Sequence, residues 1–320
     1  MYWSMLIHLG FNMWDDDPHS PSIKINPYRE ASDTLRCDRA TWEAVTARAA
    51  EVGMNHLLID IGEGLAFESH PELGAKGAWT PQEMADEIAR LKQLGIEAVP
   101  KLNFSTCHDT WLGDYAFMVS SKPYYRVVSD LIAETAEVFG NPELFHIGMD
   151  EETLHHQKNL RQVVIRNPEL WYHDLEFYAG EVEKAGSRAW MWSDRIWHHE
   201  QEYLARVPKS ILQSNWYYGE AFSFEDDPEA NAATYVRAYD LLEEHGYDQV
   251  PTGANWSNDT NMIDTVRYGH RVIAPERELG YMTAPWYPTV DAERDRLLAA
   301  VDQIGESIAE LNAGLQDPQH

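Results

Sequence analysis

Three consecutive acids, Asp150, Glu151 and Glu152, follow the apolar run LFHIGM at residues 144–149. A short apolar run of this kind is typical of a buried strand. Carboxyl groups placed this close together repel one another, and two of them rarely ionise equally. Either these acids are simply solvated at the end of the strand, or a site uses them. The predicted strands and helices around these acids are needed to choose between the two interpretations.

Short apolar runs alternate with amphipathic helical stretches along the whole chain. The runs cover residues 4–11, 56–61, 97–102, 144–149, 188–193, 211–216, 249–256 and 271–275, and the helix candidates cover residues 40–52, 81–94, 121–139, 169–185, 198–205, 230–245, 260–268 and 291–312. Thr80 and Pro81 open one helix, and the glycines expected to end others are Gly53, Gly95, Gly140, Gly186 and Gly246.

Eight strand–helix units in 320 residues predict an α/β protein, a single-domain (β/α)8 TIM barrel over residues 1–313. The last residues, 314–320, are expected to form a C-terminal tail. A doubly wound open sheet is the alternative, but no glycine-rich phosphate loop follows any of the runs.

Active sites of such barrels lie where the strands end, so residues after the runs are the candidates. The set is acidic and aromatic and contains few basic residues, which suits a neutral sugar better than a phosphorylated ligand. Its main members are Trp14, Asn103, His108, Asp150, Glu151, Trp192, Asp194, Trp216, Tyr217, Tyr218, Trp256 and Trp286.

The composition excludes several classes of partner. A net charge of −28 argues against nucleic acid and against an anionic membrane surface, because both need a basic protein surface. Two cysteines cannot form a disulfide framework or a cysteine-rich zinc site. There is no apolar run long enough for a transmembrane helix, and the first residues lack the features of a signal peptide. We expect a cytoplasmic protein, or a secreted one whose leader has been removed.

The segment FGNPELFHIGMDEE at residues 139–152 resembles the family 20 glycoside hydrolases, the β-N-acetylhexosaminidases, whose fourth strand ends in His-x-Gly-Gly-Asp-Glu. Residues 67–103 resemble the same family's segment from the second to the third strand, with a Pro-Glu-Leu, a Gly-Ala-Trp-Thr turn and a Gly-Ile-Glu strand start. MWSDRIW and QSNWYYG resemble its fifth- and sixth-strand ends. The likeness covers residues 55–220.

The resemblance implies a catalytic pair and no cofactor. Asp150 would orient the 2-acetamido group of the substrate, and Glu151 would be the general acid/base. The acetamide oxygen would be the nucleophile, so the protein needs no nucleophilic carboxylate and the sugar retains its configuration. Repulsion from Asp150 is expected to keep Glu151 protonated. His108 would tune this acid.

The resemblance also implies the walls of the sugar site. Trp192, Trp216 and Trp286 would surround the ring, Tyr217 or Tyr218 would donate to the acetamide carbonyl, and Asp194 would accept a sugar hydroxyl.

The sequence departs from the family pattern mainly where the substrate is recognised. Met149 stands in place of the second glycine of the motif, and Trp286-Tyr287 in place of a Trp-Glu pair. The first-strand arginine of the family has no counterpart, and Trp14 or one of the acids that follow it is the expected substitute. We therefore predict a divergent member, exo-acting on β-linked 2-acetamido sugars, whose preferred sugar and linkage stay open.

Two alternatives remain open at this point. A conventional retaining β-glycosidase would need a second acid about 5 Å from Glu151, and its candidates are Asp60, Asp194 and Glu276. The second alternative is a sugar-binding barrel without catalysis. The missing first-strand arginine favours it. We expect a carbohydrate as partner; a homo-oligomer stays open.

A metal site is also considered. Glu152 and His155 have a spacing that can bind metal on a helix, but no ligand set accompanies them. We expect Glu152 to be solvated or to lie at a helix N-terminus, and we expect no metal.

Overall fold

Eight strands and nine helices alternate in a computed structural model that describes residues 1–224 and 230–314. The strands are β1 Tyr2–His8, β2 His56–Asp60, β3 Glu97–Lys101, β4 Leu144–His146, β5 Arg188–Trp192, β6 Leu212–Ser214, β7 Thr252–Gly253 and β8 Gly280–Thr283. The helices are α1 Arg39–Glu51, α2 Pro81–Gln93, α3 Lys122–Val138, α4 Leu154–Gln157, α5 Pro168–Lys184, α6 Ile196–Arg206, α7 Asn231–Glu244, α8 Asn261–Val272 and α9 Arg294–Asn312.

The strands form one parallel sheet in the order β6-β5-β4-β3-β2-β1-β8-β7. Isolated parallel bridges pair Gln213 with Gln249 and Trp216 with Thr252, and they join the two ends of this sheet. The predicted (β/α)8 barrel is therefore confirmed. The C-terminal ends of all eight strands open onto one face, where barrels of this kind carry their sites.

The core has two layers. Inside the barrel, inward-pointing side chains pack on one another, among them Leu6, Leu58, Val99, Trp190 and Met282. A larger cluster fills the space between the outer faces of the strands and the helices. This alternation along each strand is the expected consequence of burying both faces of a parallel sheet.

A buried group of charged side chains lies at the C-terminal ends of β1, β2 and β3. The Lys101 ammonium lies 2.6 Å from Asp60 Oδ2, and His8 Nδ1 lies 3.3 Å from the same oxygen. All three side chains are almost completely buried. Asp60 is thereby paired with buried partners.

The helix signals in the sequence act as expected. Thr80 caps α2 and forms a reciprocal capping box with Glu83. The five glycines expected to end helices all have positive φ angles, between 72° and 92°.

One predicted strand is wrong. Residues 271–275 form the end of α8 and the turn after it, and the eighth strand is Gly280–Thr283. The apolar pattern at 271–275 reflects the buried side of a helix end, because Ile273 is almost completely buried there. Most of the expected tail, residues 315–320, lies outside the described residues. Among those that are described, no helix is both long and apolar enough to cross a membrane.

Candidate active site

The backbone after β4 runs through left-handed conformations that separate the side chains of neighbouring residues. Gly148, Met149 and Glu151 have φ angles of 73°, 79° and 57°. A Cβ atom on Gly148 would lie 1.9 Å from the Asn103 Oδ1, so no other residue fits there. Met149 adopts a conformation that costs a residue with a side chain about 1–2 kcal/mol. Because of this path, Asp150 and Glu151 both reach the open face.

Met149, which stands where the family motif has glycine, is 1% exposed. Its side chain lines a neighbouring cavity of about 270 Å³ and not the one that holds both acids. The extra side chain is therefore accommodated beside the pair without filling the space in front of Asp150.

Asp150 is buried and held from several directions. Its Oδ1 accepts a hydrogen bond of 2.8 Å from the Asn103 side-chain amide. Its main-chain carbonyl accepts from the Ser105 hydroxyl and, at 3.3 Å, from the Cys107 thiol. Its Oδ2 lies 3.4 Å from His108 Nε2 and retains acceptor capacity toward the cavity. The arrangement fixes a carboxyl group whose second oxygen can accept from a ligand.

His108 contacts both members of the acid pair. Its Nδ1 lies 3.3 Å from the Met13 carbonyl oxygen, which can only accept, so this nitrogen carries a proton. Its Nε2 lies 3.2 Å from Glu151 Oε2 and 3.4 Å from Asp150 Oδ2. Burial lowers the pKa of His108, but Cys107 and the two carboxyl groups outweigh it and raise the pKa well above its usual value. The three side chains are thus placed to share a proton, and the raised pKa favours its position on His108.

Glu151 is held by its backbone and by both carboxyl oxygens. Its N–H donates to Asp194 Oδ2 at 2.9 Å. Oε2 faces His108, and Oε1 lies 3.4 Å from His156 Nε2. Burial raises the pKa of Glu151, but His108, His156 and Arg29 outweigh burial and lower it. The lowered pKa contradicts the expectation that repulsion from Asp150 keeps Glu151 protonated in the free protein, because His108 contacts both carboxyl groups and favours the ionised form of Glu151.

Both acids line one cavity of about 320 Å³. Aromatic rings form most of its wall: Trp216 and Tyr218 stack with ring centroids 5.1 Å apart, and Trp286 Nε1 donates to the Tyr218 hydroxyl at 2.9 Å. The lining residues are Trp14, Arg29, His108, Asp150, Glu151, His156, Trp216, Tyr218, Trp256 and Trp286. Eight of these ten belong to the set predicted from the sequence.

Four predicted residues lie outside the cavity wall. Asn103 stands behind Asp150, and Asp194 holds the backbone of Glu151 and lines the neighbouring cavity. Trp192 is fully buried in the barrel, with its ring 5.7 Å from that of Trp286. Tyr217 turns to the other side and packs on Phe222.

Arg29 enters the cavity from the connection between β1 and α1. Its guanidinium lies 4.7 Å from the Trp14 ring centroid. The acids considered as substitutes for the missing arginine have other partners: Asp15 accepts from Ser20 and lies 3.8 Å from Arg29 Nε, and Asp16 pairs with Arg161. No strand or helix pattern marks Arg29, because it ends a short 3-10 turn, Pro27–Arg29, in an irregular connection.

Glu152 is neither solvated nor at a free helix end, so that expectation is wrong. Its side chain is 7% exposed and pairs with Arg166, which also contacts Asp174 at 2.8 Å. It accepts from the Thr106 N–H at 3.1 Å as well. Within residues 1–224 and 230–314, no group of three or more His, Cys, Asp and Glu is arranged to hold a metal ion.

Three acids were candidates for the second carboxylate of a conventional retaining glycosidase, and all three lie outside the cavity that Asp150 and Glu151 line. Asp60 lies in the barrel with Lys101, and Glu276 is exposed beside Arg277. Burial and the Asp150 carboxylate raise the pKa of Asp194 well above its usual value. Asp150 shares the cavity of about 320 Å³ with Glu151, whereas Asp194 shares the neighbouring cavity of about 270 Å³ with it.

No protein-family model matches the sequence, and no curated protein is similar to it at the sequence level. Solved structures are similar in fold. A β-N-acetylhexosaminidase from Bacteroides fragilis matches with a TM-score of 0.60 and 14% identity, over 97% of this chain and 69% of its own.

A GH20 exo-β-N-acetylglucosaminidase from Vibrio harveyi, solved with N-acetylglucosamine, matches with a TM-score of 0.60 and 16% identity, over 98% of this chain and 57% of its own. A GH20 β-N-acetylhexosaminidase from Streptomyces coelicolor gives a TM-score of 0.57 and 14% identity, over 99% of this chain and 71% of its own. The chain thus spans between about half and three quarters of the length of these proteins, and it shares the barrel fold of β-N-acetylhexosaminidases.

Proposed function

We propose that this protein is a glycoside hydrolase that removes β-linked 2-acetamido sugars with retention of configuration. The observation that carries the proposal is the shared cavity of Asp150 and Glu151, in which His108 Nε2 contacts both carboxyl groups. Two acids with different partners in one aromatic cavity suit a reaction that needs an anion and a proton donor side by side.

Asp150 takes the role of the anion. In substrate-assisted hydrolysis the acetamide oxygen attacks the anomeric carbon, and positive charge develops on the amide nitrogen. The buried Asp150 carboxylate, fixed by Asn103, can accept the N–H of this amide through Oδ2. Because the carboxylate is oriented before the substrate arrives, little reorganisation is needed when the charge forms.

Glu151 takes the role of the general acid and then of the base. The proton that protonates the leaving oxygen is held on His108 in the free protein, across a contact of 3.2 Å to Glu151 Oε2. A neutral sugar that fills the cavity excludes water from Glu151, which favours the uncharged carboxyl group and transfer of the proton to it. The ionised Glu151 that remains can then take a proton from the water that opens the intermediate.

Arg29 and the aromatic rings take the role of recognition. Trp216, Tyr218 and Trp286 offer flat surfaces to the apolar faces of a pyranose ring. Arg29 offers donors to sugar hydroxyls from the side of the cavity where Trp14 lies. This guanidinium replaces the function expected from a first-strand arginine.

The test compares an aryl 2-acetamido-2-deoxy-β-glucoside with the corresponding aryl β-glucoside. We expect cleavage of the first only, inhibition by a thiazoline analogue of the cyclic intermediate, and loss of activity in Asp150→Asn. Glu151→Gln is expected to lose about 10²–10⁴-fold for a poor leaving group and much less for a strongly acidic phenol, which needs no proton.

Two outcomes would overturn parts of the proposal. Equal cleavage of both glycosides would exclude the acetamide as nucleophile and favour a conventional retaining glycosidase. If no glycoside turns over while sugars still bind, the barrel is a binding protein.

A further inference from the structure

His156 contacts the general acid from the side opposite His108. His156 Nε2 lies 3.4 Å from Glu151 Oε1, while His108 Nε2 lies 3.2 Å from Oε2. The Glu151 carboxyl group therefore lies between two imidazole rings. His156 also lines the cavity, and its side chain is 39% exposed, so a ligand there would touch it.

The hydrogen bonds around His156 are compatible with the tautomer that carries its proton on Nε2. The Thr153 hydroxyl oxygen accepts from the His156 backbone N–H at 3.3 Å and lies 2.8 Å from His156 Nδ1. A hydroxyl group has one proton, which Thr153 can donate to Nδ1. Nδ1 then acts as an acceptor, so in the neutral ring Nε2 carries the proton. Nε2 is the ring nitrogen that lies 3.4 Å from Glu151 Oε1.

The segment around His156 is anchored in the protein. The next residue, Gln157, is fully buried. Its side chain donates to Thr106 Oγ1 and to the Val164 carbonyl oxygen, both at 3.0 Å, and accepts from the Val164 N–H at 2.7 Å. Arg166 ties the end of the same connection to Glu152 and Asp174. The position of His156 over Glu151 is thus built into the fold.

We infer that His156 is a second positioning residue for the general acid: its Nε2–H donates to Glu151 Oε1, orients the carboxyl group, and stabilises it when it is ionised. The inference rests on the proposed function and extends it, since it assigns to the β4–α5 connection a contact that controls when Glu151 holds a proton. Burial lowers the pKa of His156, so near neutral pH the ring is an uncharged donor.

Other charges face the same two groups and must be considered in any titration. Glu151 is faced by His108 from the β3 side, by Asp150, by Asp194 after β5, and by Arg29 from the β1–α1 connection. His156 is influenced by Glu151, His108, His155 and Asp150. Removing His156 takes one donor from the ionised form of Glu151. The pKa of the coupled cluster should therefore rise.

The first test reads the contact without any turnover. In ¹⁵N-labelled protein, the ring signals of His156 are assigned from their loss in His156→Gln. We expect the Nε2–H tautomer, and we expect Glu151→Gln to lower the pKa of His156, because a neighbouring negative charge is removed. A ring protonated at Nδ1, or a pKa that Glu151→Gln leaves unchanged, overturns the inference even if the protein is a hydrolase.

The second test is the pH dependence of kcat/KM. His156→Leu removes the donor and should move the basic limb up by about one pH unit and lower the rate about tenfold. His156→Gln keeps an amide donor and should recover part of both effects. The neighbour His155 packs on the His156 ring at a centroid distance of 5.4 Å, and His155→Gln therefore shows how much of any effect comes from disturbing this segment.

The outcomes separate the two proposals. An unchanged pH profile in His156→Leu, or an equal shift in His155→Gln, would show that the contact has no part in the reaction. If no glycoside is cleaved by the wild-type protein, the proposed function fails, while the ring tautomer and its coupling to Glu151 still decide the contact.

Discussion

At the residue scale, the left-handed backbone after β4 gives two neighbouring carboxyl groups different partners. Asp150 faces Asn103 and shares His108, whereas Glu151 lies between His108 and His156. Asn103 is the residue that joins these strand ends. Its Oδ1 accepts from the Ser105 and Met149 N–H groups, and its amide nitrogen donates to Asp150.

The Asn103 amide provides a direct test of Asp150 orientation. Asn103→Asp keeps the acceptor but replaces the donor with a second carboxylate, which repels Asp150. We expect a folded protein whose kcat/KM falls at least about tenfold, because a hydrogen bond to a charged group is lost. Circular dichroism gives the control for folding, and activity equal to wild type would contradict the role assigned to Asn103.

At the element scale, the paired strands β1 and β8 approach each other unusually closely at one glycine. A Cβ atom on Gly280 would lie 2.1 Å from the Tyr2 carbonyl oxygen, which is backbone and cannot move freely. Gly180, in α5, has no atom within 4 Å of the same position. The two glycines therefore differ in what an added methyl group would meet.

Alanine substitutions at these two glycines should act in opposite directions. Gly280→Ala is expected to lower the midpoint of thermal unfolding strongly, because β1 and β8 must separate. Gly180→Ala should raise the free energy of unfolding by about 0.5–1 kcal/mol, since alanine is the better helix former. Thermal and urea unfolding of both variants check this, and equal stability of the two would refute the packing argument.

At the element scale, the sequence also predicted eight strands, of which seven lie where they were expected and one was misplaced. The early strands are continuous apolar runs between clear helix signals, and β2 and β3 coincide with them almost residue for residue. The eighth strand has only four residues and begins at Gly280, while the helix end before it carries the stronger apolar pattern. Local periodicity cannot separate a short buried strand from a buried helix end.

The site was predictable to the extent that strand ends supply it. His108, Asp150, Trp216 and Trp286 follow strands in the chain and meet in the cavity. Arg29 and His156 come from connections whose path depends on tertiary contacts, and no sequence periodicity describes such a path. Trp192 illustrates the converse: it ends a strand, but it points into the barrel.

At the scale of the whole molecule, the barrel contains an ion pair far from solvent. Burial raises the pKa of Asp60, but Lys101 and His8 outweigh it and lower the pKa to about 2. A carboxyl group with a lowered pKa stabilises the fold above its unfolded-state pKa near 3.9. This contribution is lost as the pH falls from about 4 to about 2.

Replacement of Asp60 should therefore lower the free energy of unfolding and weaken its dependence on pH in the acidic range. Asp60→Asn leaves the Lys101 charge buried without its partner and should lower the free energy of unfolding by about 3–5 kcal/mol at pH 7. The difference from wild type should shrink toward pH 2. Urea unfolding at several pH values measures both effects.

Two controls make this result specific. The exposed pair of Lys76 and Asp33 should contribute little, so Lys76→Met is expected to leave stability nearly unchanged. The double replacement Asp60→Leu with Lys101→Met removes both charges and should recover much of the loss. A cost of Asp60→Asn no larger than that of Lys76→Met would contradict the pairing.

The connection between β1 and α1 closes on itself: Asp15 N–H donates to the Arg29 carbonyl at 3.0 Å, and Ala31 N–H donates to the Asp15 carbonyl at 3.0 Å. It carries Trp14 and Arg29, whereas the acids and His108 follow β3 and β4. The two stretches also touch, because the Met13 carbonyl oxygen in this connection lies 3.3 Å from His108 Nδ1. A change in the path of the connection would therefore alter the cavity wall and the surroundings of the His108 proton together.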